Sequence, residues 1–165
     1  MKNKIENLKN TKFFSIEVEP INDIEEGKKT GHYDSIYDHI SSKTVPLQKA
    51  IGKKRIYFIP VNERVEQGKE AEFLAKYGKR PVTNAPNYLL GAMTKLQKKD
   101  LPDRLKRKDI IAVSSDKKEV FIDRRGRPCF LSSFHRSDSR RLRLVSLKDV
   151  SRPCYVWDFL AEDIQ

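Results

Sequence analysis

Residues 121–145 read FIDRRGRPCFLSSFHRSDSRRLRLV and combine strand-like alternation with two turn-forming clusters. The first cluster, at 123–127, contains Gly126, which is free to adopt a positive φ. The second cluster lies at 136–139. Short polar turns between alternating apolar runs are typical of antiparallel hairpins, so this stretch predicts consecutive strands joined by tight turns.

Strand-like runs on both sides extend this hairpin region. The run IIAV at 110–113 precedes it, and CYVWDFLA at 154–161 follows it with aromatic residues at alternate positions. Turn signals at short intervals between β-branched and aromatic runs predict an antiparallel meander of about five strands. We expect a small curled sheet or a partial barrel.

The N-terminal part mixes both kinds of element. Alternation predicts strands at 14–18 and 55–59, and helical spacing predicts helices at 33–40, 69–77 and 86–99. The glycine-containing stretch between the first strand and the first of these helices reads as a loop.

Two residues mark the helix predicted at 86–99. Asn84 is a candidate N-cap, and Gly91 in the helix interior indicates a close packing contact.

The pattern as a whole predicts an α+β fold, in which an N-terminal strand and helices pack on the C-terminal antiparallel sheet. We expect residues 1–11 to form a flexible arm and residues 12–165 a single compact domain. Within that domain, 12–108 is the mixed part and 109–165 the antiparallel meander.

The 165 residues include 34 basic and 23 acidic side chains, a formal net charge of +11, concentrated in the second half of the chain. Such a charge favours phosphate-rich partners, although it also serves solubility alone. Two cysteines are too few for a disulfide framework, and no signal peptide or membrane-spanning apolar run is evident. We therefore expect a cytoplasmic protein without membrane association.

Arginine dominates the predicted hairpins, and its planar guanidinium binds phosphate through paired hydrogen bonds. If the hairpins bring these groups together, they would hold a phosphate backbone. An equally ordinary explanation is an edge strand protected from aggregation by charge. The predicted nucleic-acid contacts are Arg124, Arg125, Arg127, Arg136, Arg140, Arg141 and Arg143, extended by Lys98, Lys99, Arg107 and Lys108.

Aromatic residues on the predicted strands, among them Tyr155, Trp157 and Phe159, have two interpretations. Exposed beside the arginines they would stack on unpaired bases, whereas a five-stranded sheet more commonly needs them for its core. The sequence leaves both open.

Signals for catalysis are weak. The sequence contains no phosphate-binding glycine loop and no spaced set of metal ligands, so we expect neither a cofactor nor a metal. A histidine-dependent enzyme would have to use His39 or His135.

The favoured hypothesis is a non-enzymatic basic module that contacts the phosphates of RNA or DNA through arginine-rich hairpins. The alternative is an adaptor or inhibitor that uses the same basic face against an acidic partner protein. An enzyme ranks third.

Overall fold

The structure is a computed structural model and describes residues 8–136, 138–150 and 156–164. Its strands are β1 Ser15–Val18, β2 Ser35–Ile36, β3 Lys54–Pro60, β4 Lys79–Pro81, β5 Asp109–Ile111, β6 Phe121–Ile122, β7 Pro128–Arg136, β8 Ser139–Ser146 and β9 Trp157–Asp163. Its helices are α1 Ile24–Thr30, α2 Glu70–Ala75, α3 Ala85–Lys95 and α4 Leu147–Val150. Short 3-10 turns lie at Lys98–Asp100, Asp103–Leu105 and Lys117–Glu119.

The strands form one open sheet in the order β1–β3–β9–β5–β7–β8–β2, with β4 also paired to β9 and β6 also paired to β7. The β5–β9 and β2–β8 pairs are parallel and the other pairs are antiparallel. The prediction of helices combined with a sheet is confirmed. The prediction of about five antiparallel strands is only partly right, because the described residues form nine strands, and two of the strand pairs are parallel.

The error has a topological cause. The last strand, β9, does not follow β8 in the sheet but lies between β3 and β5. Phe58 of β3 is therefore opposite Leu160 of β9, which joins the N-terminal strands to the C-terminal ones. Sequence order favours pairing of consecutive strands and gives no sign of such an insertion.

Two apolar clusters cover the two faces of the sheet, as period-two alternation requires. On one face Leu131 and Leu160 belong to the cluster that includes α1 and α3. On the other face Phe130 and Phe159 belong to the cluster that includes Phe73 of α2. Neighbouring residues of one strand thus supply different layers of the core.

Gly91 allows α3 to approach β1 closely, as the sequence predicted. A Cβ at this position would overlap the carbonyl oxygen of Glu19 and lie 2.7 Å from Cγ1 of Val18. The glycine lowers helix propensity. The close helix–strand contact requires it nonetheless.

Two local predictions before β3 are wrong. The stretch expected to be a loop forms α1, whose N-cap Asp23 accepts a hydrogen bond of 3.0 Å from the backbone N–H of Glu25. Gly27, which suggested a turn, instead packs inside this helix against the side chain of Leu90.

The helix expected at 33–40 does not form, because its central residues pair with the sheet. Ile36 in β2 is the parallel partner of Leu142 in β8, and the backbone N–H of Tyr37 donates to the carbonyl of Leu142 at 2.9 Å. Tertiary pairing therefore prevails over a helical spacing of apolar residues. Within the described residues, no helix is both long enough and apolar enough to cross a membrane.

Candidate nucleic-acid interface

An open cleft of about 600 Å³ lies where the two arginine-rich hairpins meet β2. Its walls include Arg125 and Arg127 from the β6–β7 turn and Arg141 and Arg143 from β8. We call this depression the arginine cleft. Two carboxylates, Asp38 and Asp123, also line it. The structure thus brings together four of the eleven predicted contacts.

Strand register places the two β8 arginines on one face. Arg141 is opposite Phe134 and Arg143 is opposite Ser132 in the antiparallel β7–β8 pair. Residues two apart share a face, so both guanidinium groups project on the same side of the sheet. The Nε atom of Arg141 also donates to Oγ of Ser35 in β2 at 2.9 Å.

Arg143 is held in a fixed position at the cleft wall. Its Nη2 atom donates to Oδ2 of the fully buried Asp109 at 2.7 Å. Its guanidinium carbon lies 4.2 Å from the ring centroid of Phe134. A buried carboxylate on one side and an aromatic face on the other restrict this side chain to one orientation.

Asp123 organises the β6–β7 turn. Its Oδ1 atom accepts the backbone N–H groups of Arg125 and Arg127, each at 2.9 Å, and its Oδ2 atom accepts Nε of Arg127 at 2.8 Å. Burial acts to raise the pKa of Asp123, but these hydrogen bonds outweigh burial and lower it. The ionised carboxylate therefore fixes the turn that presents both arginines.

Arg125 and Arg141 are the cations of the cleft that retain free charge. Both are exposed, and within the described residues neither forms an ion pair with a carboxylate. These two side chains are available to a ligand without first breaking an internal salt bridge.

The remaining hairpin arginines lie elsewhere. Arg124 pairs with Asp38 at 2.6 Å and lies 5.6 Å from the ring of Tyr37, outside the cleft wall. Arg136 is exposed at the end of β7 and does not line the cleft either.

Arg140 was also predicted to contact phosphate, but its side chain is fully buried. Its guanidinium donates to Nε2 of His135 at 2.9 Å and to the carbonyl oxygens of Gly31 at 2.9 Å and Met93 at 3.0 Å. Arg140 and Arg141 are consecutive residues of a strand and point to opposite faces. A ligand approaching from solvent does not reach Arg140, which leaves the candidate set.

The predicted lysine extension is not part of the cleft. Lys98 pairs with Asp34 at 2.8 Å and, with Lys99, lines a separate cavity of about 300 Å³. Arg107 and Lys108 follow the 3-10 turn Asp103–Leu105 and lie outside the cleft wall as well.

The aromatic residues considered as stacking platforms are mostly core. Phe121, Phe130, Trp157 and Phe159 are all buried, and Tyr155 lies outside the described residues. Phe134 is half-buried beneath the guanidinium of Arg143. Four described members of this set are therefore core residues, and Arg143 covers one face of the fifth, Phe134.

The histidines have structural contacts. A ring nitrogen of His39 lies 3.2 Å from the carbonyl oxygen of Ile122. Burial, with the nearby positive charge of Arg140, lowers the pKa of His135 to about 4. In the part of the chain that the structure describes, no group of three or more histidine, cysteine or acidic residues is arranged to hold a metal ion.

A second basic depression, of about 620 Å³, borders the arginine cleft. We call it the lysine depression because Lys43, Lys117 and Lys118 line it together with Arg124. Sequence reasoning missed these lysines, which come from two segments separated by more than 70 positions. Only the folded chain brings them together.

Comparisons of this chain with protein-family models, with curated proteins and with solved structures found no match.

Proposed function

We propose that this chain binds nucleic-acid backbones, with the arginine cleft as the principal contact surface. The observation that carries the proposal is the convergence of Arg125, Arg127, Arg141 and Arg143 from two hairpins on one open cleft. Guanidinium groups form paired hydrogen bonds with phosphate oxygens, and a concave site lets several of them reach one backbone.

The carboxylates around the cleft support this proposal. Asp109 and Asp123 each bind one arginine and hold it in place, while Arg125 and Arg141 keep their charge unpaired within the described residues. Fixed cations lose little conformational freedom when a ligand binds, and unpaired cations supply the attraction. An edge strand protected by charge alone would not need arginines anchored in this way.

Recognition would depend on the backbone more than on the bases, because the candidate stacking residues Phe121, Phe130, Trp157 and Phe159 are buried. Binding of this kind releases condensed counterions and weakens steeply as salt rises. The affinity for RNA and DNA of unrelated sequence should therefore be similar.

The test is fluorescence anisotropy with a labelled 20-nucleotide RNA and a DNA of the same sequence between 50 and 200 mM salt. We expect affinity to fall as salt rises, and we expect the double variant Arg125→Ala/Arg141→Ala to lose roughly tenfold or more at 50 mM.

The matched control is Arg64→Ala/Lys12→Ala, which also removes two exposed cations, neither of which lines the cleft. It should change affinity little. Absence of binding at 50 mM salt would exclude the proposal. Capture of a defined acidic protein by the wild type in nuclease-treated lysate, lost in the double variant, would then favour a protein partner.

A further inference from the structure

The lysine depression carries positive charge that internal ion pairs do not neutralise. Lys43, Lys117 and Lys118 are exposed, and none forms an ion pair within the described residues. Asp123 is the carboxylate that lines the depression, and it already binds Arg127. The depression therefore attracts anions in its own right.

The two depressions adjoin each other. Asp123 lines both, and Asp38 of the cleft wall pairs with Arg124 of the lysine depression at 2.6 Å. The side chains of this pair are 69% and 56% exposed, so water screens their attraction and the pair contributes little to stability. A ligand can displace this pair at low cost and cross from one depression to the other.

The chemistry of the second depression matches a phosphate backbone. Its unpaired cations within the described residues are lysines on long, flexible stems, which act as point charges toward phosphate without demanding one geometry. Phe121 in its wall is buried, whereas Ile122 is exposed and can contact a sugar or an unpaired base. A flexible single strand can bend to follow two adjoining concavities, whereas a duplex is much stiffer.

We infer that one single strand of nucleic acid lies across both depressions, with some phosphates at the arginines of the cleft and others at Lys43, Lys117 and Lys118. This inference rests on the proposed function and adds the ligand's form. The ligand is an extended strand, not a mononucleotide or dinucleotide confined to the cleft.

The test compares fluorescein-labelled oligothymidylates of 2 and 12 nucleotides at 50 mM salt. The lysine variant is Lys117→Ala/Lys118→Ala, and the arginine variant is Arg125→Ala/Arg141→Ala. The control, Lys12→Ala/Lys29→Ala, removes two exposed lysines that line neither depression. All substituted side chains are exposed, and circular dichroism spectra and melting temperatures check that the variants fold.

The arginine variant should weaken binding of both oligomers. The lysine variant should weaken binding of the 12-mer by roughly five- to tenfold and leave the dinucleotide within twofold of wild type. The slope of log affinity against log salt for the 12-mer should decrease in magnitude by about 0.7 for each phosphate contact that is lost. The control should leave both affinities within twofold.

Different failures separate the two proposals. If the wild type binds neither oligomer, the proposed function fails and this inference fails with it. If the 12-mer binds through the arginines but the lysine variant equals the control, the function stands and the extended path is excluded. Tighter binding of a 12-base-pair duplex than of the single strand would also overturn the inference.

Discussion

Arg140 is an interior cation held by neutral acceptors. Because its Nε atom donates to Nε2 of His135, the imidazole must carry its own proton on Nδ1, which lies 3.3 Å from the carbonyl oxygen of Lys108. Burial lowers the pKa of Arg140, yet a guanidinium remains charged at any ordinary pH. His135 can therefore accept the hydrogen bond from Arg140, and so stabilise the fold, only while its imidazole is neutral.

This requirement makes stability depend on pH. The pKa of His135 is about 4 in the folded state and roughly 6.5 in the unfolded chain. Between these values the unfolded state binds the proton first, so stability decreases as pH falls from 6.5 towards 4 and is unaffected above 6.5. The full loss amounts to about 3 kcal/mol.

The measurement is urea denaturation at pH 7.0 and pH 4.5. The variant His135→Gln keeps an acceptor for Arg140 and a donor for the Lys108 carbonyl but does not titrate. Its stability should fall much less between the two pH values than that of the wild type. Equal pH dependence in both proteins would show that other groups cause the loss.

The N-terminus of α3 illustrates how elements depend on distant residues. Asn84 was predicted as a side-chain N-cap, but it has a left-handed backbone with φ 60° and ψ 43°, and its side chain makes no capping hydrogen bond. The carboxylate of the buried Glu119 supplies hydrogen-bond acceptors at this helix start instead. Its Oε1 atom accepts the backbone N–H of Asn84 at 2.9 Å, and its Oε2 atom accepts the hydroxyl of Ser114.

We expect Glu119→Ala to destabilise the protein by about 1–3 kcal/mol, because the substitution leaves the partly buried N–H group of Asn84 without an acceptor. Glu119→Gln should cost less, since its amide oxygen still accepts that N–H while its NH₂ group faces the Ser114 hydroxyl. Burial already raises the pKa of Glu119, so a neutral side chain is tolerated there. Thermal unfolding of the wild type and the two variants ranks their stabilities. An alanine variant as stable as the wild type would show that Glu119 does not stabilise the start of α3.

Strand alternation accounts for what the sequence could predict about the interface. Leu142 and Leu144 indicated that Arg141 and Arg143 share the opposite face, and both line the cleft. The same parity places Arg140 with the leucines, so the alternation itself contains the signal that this arginine faces inward. The face to which a strand residue points depends only on its place in the alternation, so the local sequence is enough to predict it.

At the scale of the whole molecule, long-range pairing determines what the sequence could not predict. The parallel insertion of β9 next to β5 and the contact between Arg124 and Asp38 join segments far apart in the chain. Long-range packing also brings Lys43 and Lys117 to the same depression. Composition and residue spacing do not predict these long-range contacts, because the contacts depend on how the complete sheet packs.

The same long-range assembly places a negative charge between the two basic depressions, and this leads to a prediction about affinity. Asp38 lines the arginine cleft and neutralises Arg124. The substitution Asp38→Asn removes its repulsion of phosphate and frees the Arg124 guanidinium. We therefore expect affinity for a 12-nucleotide single strand to rise by roughly three- to tenfold at 50 mM salt.

If Arg124 gains a phosphate contact, the slope of log affinity against log salt should also increase in magnitude by about 0.7. The control Glu63→Gln makes the same change of charge at an exposed carboxylate that pairs with Lys76 in another depression. Any gain in affinity that comes from net charge alone is common to both variants. Only the gain in affinity beyond that of Glu63→Gln is due to the position of Asp38. An Asp38→Asn protein that binds no better than Glu63→Gln would show that the charge between the depressions does not act on the ligand.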